Sequence, residues 1–224
     1  MNDVINCIME RRSIRRYKPE QIKADELKQI LEAGLYAANA GSRQSSFVVV
    51  CQNADIICEL GQVKSAAFKG RYSDGERYVS KEQPSIADDP NIKNAYYDAP
   101  TVITIFTPKD FLFGAYDGSC MATNMSLAAW SLGIGSCFIG AAWEAFACEL
   151  GQRLLVEWNI PGNYHADIQL CLGYPLDSTP PKAKPRKDGR IVYAYQMGAG
   201  GHHQMETMKT LVMRVQQETI AKSK

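Results

Sequence analysis

The spacing of apolar positions predicts a helix that begins near Asp25. The apolar and small residues that recur on one face of this segment are Leu27, Ile30, Leu31, Gly34, Leu35 and Ala38. Asp25 and Glu26 stand in its first turn, where the helix dipole favours negative charge. The pattern therefore predicts an amphipathic helix with its apolar face on the core.

Short apolar runs predict the core strands. The runs are FVVVC at 47–51, TVITIFT at 101–107 and IQLCLGY at 168–174. Runs of this kind, rich in β-branched residues and bounded by turn residues, are typical of buried strands. RIVYAY at 190–195 predicts a further strand at the edge of the sheet.

Helices are predicted between these strands, over 54–69, over 117–132 and near 143–158. The helix at 117–132 is small and apolar nearly all round, which predicts a place in a core or a subunit interface. We interpret GIGSCFIG at 133–140 as the glycine-rich turn that leads into the helix near 143–158. Strands separated by helices, without a run of hairpins, predict a single domain of the α/β or α+β class.

The remaining segments are polar or lie near the end of the chain. Residues 70–95 are polar, with Gly, Ser, Asp and Pro, and predict a mobile excursion. GAGG at 198–201 predicts a hinge. An apolar stripe follows it, formed by Met205, Met208, Leu211, Val212 and Val215. The stripe predicts an amphipathic helix that packs on another surface.

Charge and cysteine usage narrow the class of function. The 224 residues include 25 basic and 24 acidic side chains, a net charge of +1. Such a balance argues against a partner that is a nucleic acid or a membrane surface. Seven cysteines without a Cys-x-x-Cys pair favour reduced core thiols. The first residues contain no signal peptide, and polar residues interrupt the apolar region at 120–140, so we expect a cytoplasmic protein.

The common catalytic signatures are missing from the sequence. There is no G-x-S-x-G elbow, and the three histidines, His165, His202 and His203, have no spacing typical of a triad or a metal site. Phe138 stands where a dinucleotide fingerprint needs its third glycine. We therefore name no catalytic side chain and no metal ligand, and we expect a bound cofactor to supply any difficult chemistry.

Two basic segments and one loop of small residues are the candidate binding elements. Arg11, Arg12, Ser13 and Arg15 form a local group of donors, and KAKPRK at 182–187 forms another. The first group could be a solvated face of the first helix and the second a solvated basic loop, or the two could meet on one phosphate. AGSRQSS at 40–46 could be an ordinary turn, or its side chains could bind the polar edge of a heterocycle.

Taken in order, these segments resemble the FMN-dependent nitroreductase family. The likeness runs through RRSIRRY (11–17), AANAGSRQSSF (37–47), GIGSCFIG (133–140), LCLGYP (170–175) and KAKPR (182–186). The resemblance implies an α+β fold with a central mixed β-sheet flanked by helices. It implies an intertwined homodimer with FMN at the interface. We expect an FMN-binding domain over 1–197 and a hinge with an amphipathic helix over 198–224.

The resemblance also implies which residues bind FMN. Arg11, Arg12, Ser13 and Arg15 match the family's N-terminal phosphate and ribityl contacts, and Lys184 and Arg186 match its C-terminal phosphate contacts. Ser42 and Gln44 match the loop that reaches the flavin of the other subunit. Ile139 and Gly140 match the backbone beside the flavin N5 edge.

One departure from the family concerns this loop. The family pattern is Asn-x-Gln-Pro-Trp, and here Ser42, Ser45 and Ser46 replace the Asn, Pro and Trp. The expected activity is NADH- or NADPH-dependent reduction of nitroaromatic, quinone or similar small-molecule acceptors through FMN, in two half-reactions. The serine replacements leave open an alternative, a flavin-binding store or redox sensor with little reductase activity. A related flavin reaction, such as reductive dehalogenation, is a further possibility.

Overall fold

The computed structural model describes residues 2–68 and 81–192, so the predicted hinge and tail helix at 198–224 lie outside it. Met1–Ala183 form one compact unit, and Lys184–Lys224 form a second. The helices are α1 (Asp3–Glu10), α2 (Ala24–Leu35), α3 (Ala54–Phe68), α4 (Gly114–Ser131) and α5 (Glu149–Glu157). The strands are β1 (Phe47–Cys51), β2 (Thr101–Pro108), β3 (Gly135–Ile139) and β4 (Tyr164–Gly173). Two short 3-10 helices cover Ala40–Ser42 and Ala142–Phe146.

The four strands form one sheet in the order β1-β2-β4-β3, and every pair of neighbours is antiparallel. The α+β class is confirmed, but the expected mixed pairing is wrong for the four strands described. The helix α4 joins β2 to β3, which run in the same direction, as a crossover connection predicts. Because β4 lies between them, these parallel strands are not neighbours. Among the described residues, parallel pairing occurs at an isolated bridge between Ser13, outside the four strands, and Ser136 of β3.

Helices cover both faces of this sheet. On one face, α2 and α4 supply Ile30 and Met125 to a core that includes Ile103 and Leu170 of the central strands. On the other face, a second core contains side chains from α3, the 3-10 helix Ala142–Phe146, α5 and the strands. Burial on both faces explains why residues 101–107 of β2 and 166–173 of β4 are all buried, polar ones included, rather than alternately buried and exposed.

The predicted strands at 47–51, 101–107 and 168–174 are confirmed, and the last begins earlier, at Tyr164. Two interpretations of local structure are wrong. GIGSCFIG is not a turn, because Gly135–Ile139 form β3. The segment near 143–158 is not one helix. It breaks where the N-cap Cys148 accepts a hydrogen bond from the Gly151 N–H and starts α5. Of the predicted edge strand at 190–195, residues 190–192 are irregular and the others lie outside the described residues.

The polar segment at 70–95 is more closely packed than predicted. Residues 69–80 lie outside the described residues, and residues 81–95 are irregular. Yet Gln83, Asn94 and Ala95 are buried. The cysteines differ from the expectation as well, since all seven are free but just Cys137 and Cys171 are buried.

Candidate functional site

The N-terminal cations follow a helix rather than lying on its face. The last helical residue of α1 is Glu10, and Arg11 is the C-cap, with φ −51° and ψ 135°. Its N–H donates to the Cys7 carbonyl at 3.0 Å. The alternative interpretation of the cations as a solvated face of the first helix is therefore wrong, because the chain is extended from Arg11 onward.

This extended segment runs along the edge of β3. Ser13 bridges to Ser136, and the Ile14 N–H donates to the Ser136 carbonyl at 2.9 Å. Ile14 is 1% exposed and packs directly over Gly135, where an added Cβ would lie 2.8 Å from the Ile14 Cβ. Gly135 thus permits the close approach that holds the cationic segment against β3. The same strand ends at Ile139, so two of the predicted binding elements share one edge of the sheet.

Arg12 and Arg15 are half-buried, and each has a hydrogen-bond donor that no described residue accepts. Arg12 Nη1 donates to the carbonyls of Met9 and Arg11, both at 2.8 Å. Arg15 Nη1 donates to the Gln83 carbonyl at 3.0 Å, and the Arg15 backbone N–H donates to Gln83 Oε1 at 2.5 Å. Among the described residues, neither arginine Nε has a hydrogen-bond partner. An incompletely satisfied guanidinium is suited to an anionic ligand.

Arg15 lines a cavity of about 490 Å³, together with Gln83, Asn94 and Tyr97 among others. This volume is in the range of about 300–1,000 Å³ that is typical of sites for small molecules and cofactors. The Arg15 guanidinium lies 5.7 Å from the centre of the Tyr97 ring. Burial raises the pKa of Tyr97 to about 12, although the charge of Arg15 opposes this shift. The phenol therefore stays neutral beside the cation.

A turn with an unusual backbone follows β3. Gly140 is exposed, and a Cβ added there would meet no described atom within 4 Å. Ala141 has φ 52°, in the left-handed region that favours glycine. Its carbonyl accepts a hydrogen bond from Lys64 Nζ at 2.7 Å, and Lys64 also forms an ion pair with Glu144. The turn thus has unobstructed backbone at Gly140, while the buried ammonium of Lys64 binds the next carbonyl, that of Ala141.

The loop with the serine replacements has several anchors. Ser42 and Gln44 are exposed and both have left-handed backbones, with φ 51° and 49°. The Gln44 N–H donates to Asn39 Oδ1 at 2.9 Å, and the Ala40 N–H donates to Asp117 Oδ1 at 2.9 Å. Tyr164 Oη donates to the Ser45 carbonyl at 2.9 Å.

Lys184 and Arg186 belong to the second compact unit, which begins at Lys184. Both are exposed in an irregular stretch. Their role in holding a phosphate stays a prediction.

Sequence reasoning missed three features of the site. It did not find Gln83, which binds Arg15, or Lys64 and Glu144, which hold the turn after β3. A signal existed for Lys64, because a lysine on the core-facing side of α3 is a buried charge that needs a partner. No local pattern pointed to Gln83, since its contact with Arg15 spans 68 positions.

Residues 2–68 and 81–192 contain neither a metal-binding cluster nor a membrane-spanning helix. No group of three or more His, Cys, Asp and Glu side chains there could hold a metal ion. In the same ranges no helix has the length and apolar character that crossing a bilayer needs.

Comparison with known proteins adds independent information. Residues 8–174 match the sequence profile described as "Nitroreductase family". The chain is 28% identical over 192 residues to an NADPH-flavin oxidoreductase of Vibrio harveyi, an alignment that covers 86% of this chain and 73% of that protein.

Two solved structures extend the likeness to the fold. A nitroreductase with bound FMN from Bacteroides fragilis has a TM-score of 0.69 and 29% identity, and covers 86% of this chain and 99% of its own. A nitroreductase with bound FMN from Desulfitobacterium hafniense has a TM-score of 0.70 and 26% identity, with 86% and 98% coverage. The predicted family is confirmed, and the chain belongs to the nitroreductase family.

Proposed function

We propose that this chain is an FMN-dependent oxidoreductase that uses NADH or NADPH to reduce a small-molecule acceptor such as a nitroaromatic compound or a quinone. One observation carries the proposal. The cationic segment 11–15 is bonded along β3, the strand that ends at the open Gly140 turn. The segment that would bind an anionic group and the exposed backbone at Gly140 therefore both adjoin the same strand, β3. Family membership and the names of the relatives support the predicted enzyme class.

The residues present fit FMN. A phosphate needs several donors, and Arg12 and Arg15 each have a buried Nε without a described partner. A flat ring system needs backbone that it can approach closely, and the space around Gly140 is open. Both requirements are met by groups of this chain that the protein's own described contacts leave available.

Each part of the cofactor has candidate ligands. The phosphate would be held by the cations of the N-terminal segment and of the second unit, with Ser13 adding a hydroxyl. These cations are Arg11, Arg12, Arg15, Lys184 and Arg186. The backbone of Ile139 and Gly140 would lie beside the ring. Ser42 and Gln44 would reach the ring from the loop of a second subunit.

When bound, FMN would supply the hydride chemistry that couples oxidation of the nicotinamide to reduction of the acceptor. The protein's own part is binding, orientation and electrostatics. Donors of the N-terminal segment neutralise the phosphate, and the turn after β3 supplies fixed backbone dipoles. No side chain is assigned as a general acid or base.

We also propose that the chain works as a homodimer. Several apolar side chains are exposed in this single chain, including Val4, Ile8, Leu35 and Tyr36, which are 66%, 55%, 60% and 89% exposed. None of the residues of α1 is buried. A helix with an apolar face that the described chain leaves uncovered favours a partner subunit on that face. Light scattering on the purified protein measures the mass, and a monomer at micromolar concentration would contradict this proposal.

The visible spectrum of the purified protein tests the cofactor assignment. We expect flavin absorption, either as purified or after addition of FMN, and loss of that absorption when NADH or NADPH is added without oxygen. Addition of a quinone or nitroaromatic compound should then restore it. A protein that neither carries FMN nor binds added FMN would overturn the proposal.

The serine-rich loop favours one alternative, a flavin store or redox sensor. Among the described residues, the hydroxyls of Ser45 and Ser46 are buried without a hydrogen-bond partner. A loop with unsatisfied groups is one that could have lost a contact to the cofactor. Flavin that is bound but is reduced by neither NADH nor NADPH would favour this alternative over the reductase.

A further inference from the structure

Lys64 and Glu144 form an ion pair that the cofactor assignment above does not use. Lys64 Nζ lies 3.3 Å from Glu144 Oε2, and the two side chains are 3% and 6% exposed. The lysine comes from α3 and the glutamate from the 3-10 helix that follows the Gly140 turn. A buried ion pair is weak evidence for stability, because apolar residues of the same volume often serve as well. Stability alone therefore does not account for this ion pair, which favours a functional role for it.

The pair acts directly on the strained residue of the turn. The Ala141 carbonyl accepts two hydrogen bonds, from Lys64 Nζ at 2.7 Å and from the Glu144 N–H at 3.2 Å. Both partners of the ion pair thus bind the same oxygen. Since a left-handed backbone is disfavoured for alanine, this conformation needs surroundings that hold it. The two bonds to the carbonyl meet that need.

We propose that Lys64 and Glu144 are positioning residues for the cofactor. They hold the Gly140–Ala141 turn in its left-handed conformation, and they place a compensated pair of charges behind the backbone that faces FMN. This inference rests on the proposed function, because it assumes that FMN lies beside Ile139 and Gly140.

Charge compensation gives the two residues opposite expected effects. Reduction of FMN adds negative charge to the ring, so a more positive net charge nearby favours reduction and a more negative net charge opposes it. Glu144→Gln removes one negative charge beside the turn and should raise the midpoint potential of bound FMN. Lys64→Met removes one positive charge there and should lower it. The double variant removes both charges and should return the potential towards that of the unaltered protein.

The potentials are measured by reductive titration of the FMN-loaded protein with reference dyes. Each variant is compared with the unaltered protein in the same buffer and at the same pH, so that the substituted side chain is the one difference between the two titrations. Lys28→Met and Glu32→Gln are matched controls, since both side chains are exposed on α2. Shifts of opposite sign, without shifts in the controls, would support the proposal. Equal signs, or no shift in either variant, would overturn the electrostatic part.

A rescue experiment tests the positioning part. Lys64→Met should weaken FMN binding roughly fivefold or more, because the turn loses one of the two bonds that hold Ala141. Glycine adopts the left-handed conformation without strain, so Ala141→Gly in the Lys64→Met background should recover most of that loss. Absence of recovery would overturn the positioning role. If Lys64→Met does not fold, the comparison is made in the neutral double variant.

These outcomes are separable from failure of the proposed function. If the unaltered protein binds no FMN, the proposed function fails. If it binds FMN and is reduced by NADH or NADPH, but the variants shift neither potential nor affinity, the inference on Lys64 and Glu144 fails alone.

Discussion

Substitution of Arg15 tests the predicted phosphate site most directly. The guanidinium is half-buried, donates to the Gln83 carbonyl at 3.0 Å, and has a buried Nε without a described partner. One charge-assisted contact to a phosphate contributes about 1.5–3 kcal/mol, so Arg15→Ala should weaken FMN binding roughly tenfold to a hundredfold. The dissociation constant is measured by titrating FMN-free protein and following the quenching of flavin fluorescence.

The neighbouring Arg16 provides a comparison, because it lines the same cavity but already has an anionic partner. Its side chain is 52% exposed and forms an ion pair with Asp177 at 3.2 Å. An exposed pair of this kind contributes about 0–1 kcal/mol to stability, and we expect Arg16→Ala to leave the FMN affinity unchanged within about twofold. Equal losses in the two variants would mean that general positive charge, rather than a specific contact, determines binding.

Arg186 completes the test of the phosphate assignment. If Arg186 also contacts the phosphate, Arg186→Ala should weaken binding by a similar factor, and both losses should persist at moderate salt because specific hydrogen bonds are screened less than long-range attraction. Unchanged affinity in both Arg15→Ala and Arg186→Ala would refute the reasoning that assigns these two segments to one phosphate.

Four further substitutions address the site and the fold. Gly140→Ala should leave the stability of FMN-free protein unchanged, since the added Cβ meets no described atom within 4 Å, yet weaken FMN binding in the same titration. Gly135→Ala should cost about 1–3 kcal/mol in urea unfolding, because its Cβ would overlap a buried side chain. Ser42→Asn should raise the melting temperature slightly, since asparagine tolerates the left-handed backbone better; a lower value would contradict this. The hydrogen bond that Tyr174 donates lowers the pKa of Glu26 in the folded protein. This hydrogen bond stabilises the fold at any pH above the pKa of an ordinary glutamate. The stabilisation is lost as the pH falls through the lower pKa of Glu26 in the folded protein. Tyr174→Phe should therefore destabilise at pH 7 and differ less from the unaltered protein in acid, which urea unfolding across this range measures.

The strands that could be predicted from the sequence are those whose pattern is local. FVVVC, TVITIFT and IQLCLGY carry enough β-branched and apolar residues to predict β1, β2 and β4. β3 was not predicted, because the glycine and serine in its sequence are typical of a turn. Its pairing comes from Cys137 and Ile139 on the β4 side and from Ser13 on the other. Such a strand depends on partners far away in the chain, which propensity cannot report.

The sheet pairing shows the same limit at a larger scale. The helix α4 joins β2 to β3, and these two strands run in the same direction. β4 is the last of the four strands along the chain, yet it pairs between β2 and β3. No local pattern in the sequence encodes that order. The same holds for Gln83, whose contact with Arg15 joins two segments that look unrelated in the sequence.

The serine-rich loop is the place where sequence and structure point in different directions. Loss of the family's proline and tryptophan predicts a loop with a less certain path, which motivates the flavin-store alternative. In the structure, Asp117 accepts a hydrogen bond from the Ala40 N–H, and Tyr164 donates one to the Ser45 carbonyl. These side chains come from α4 and β4, so the loop is anchored on both sides by the rigid part of the fold. Anchors of this kind can replace a tryptophan's packing. The replacements then bear on the contact made by residue 42 and on the unsatisfied hydroxyls of Ser45 and Ser46, rather than on the path of the loop, and the flavin-store alternative rests on those groups.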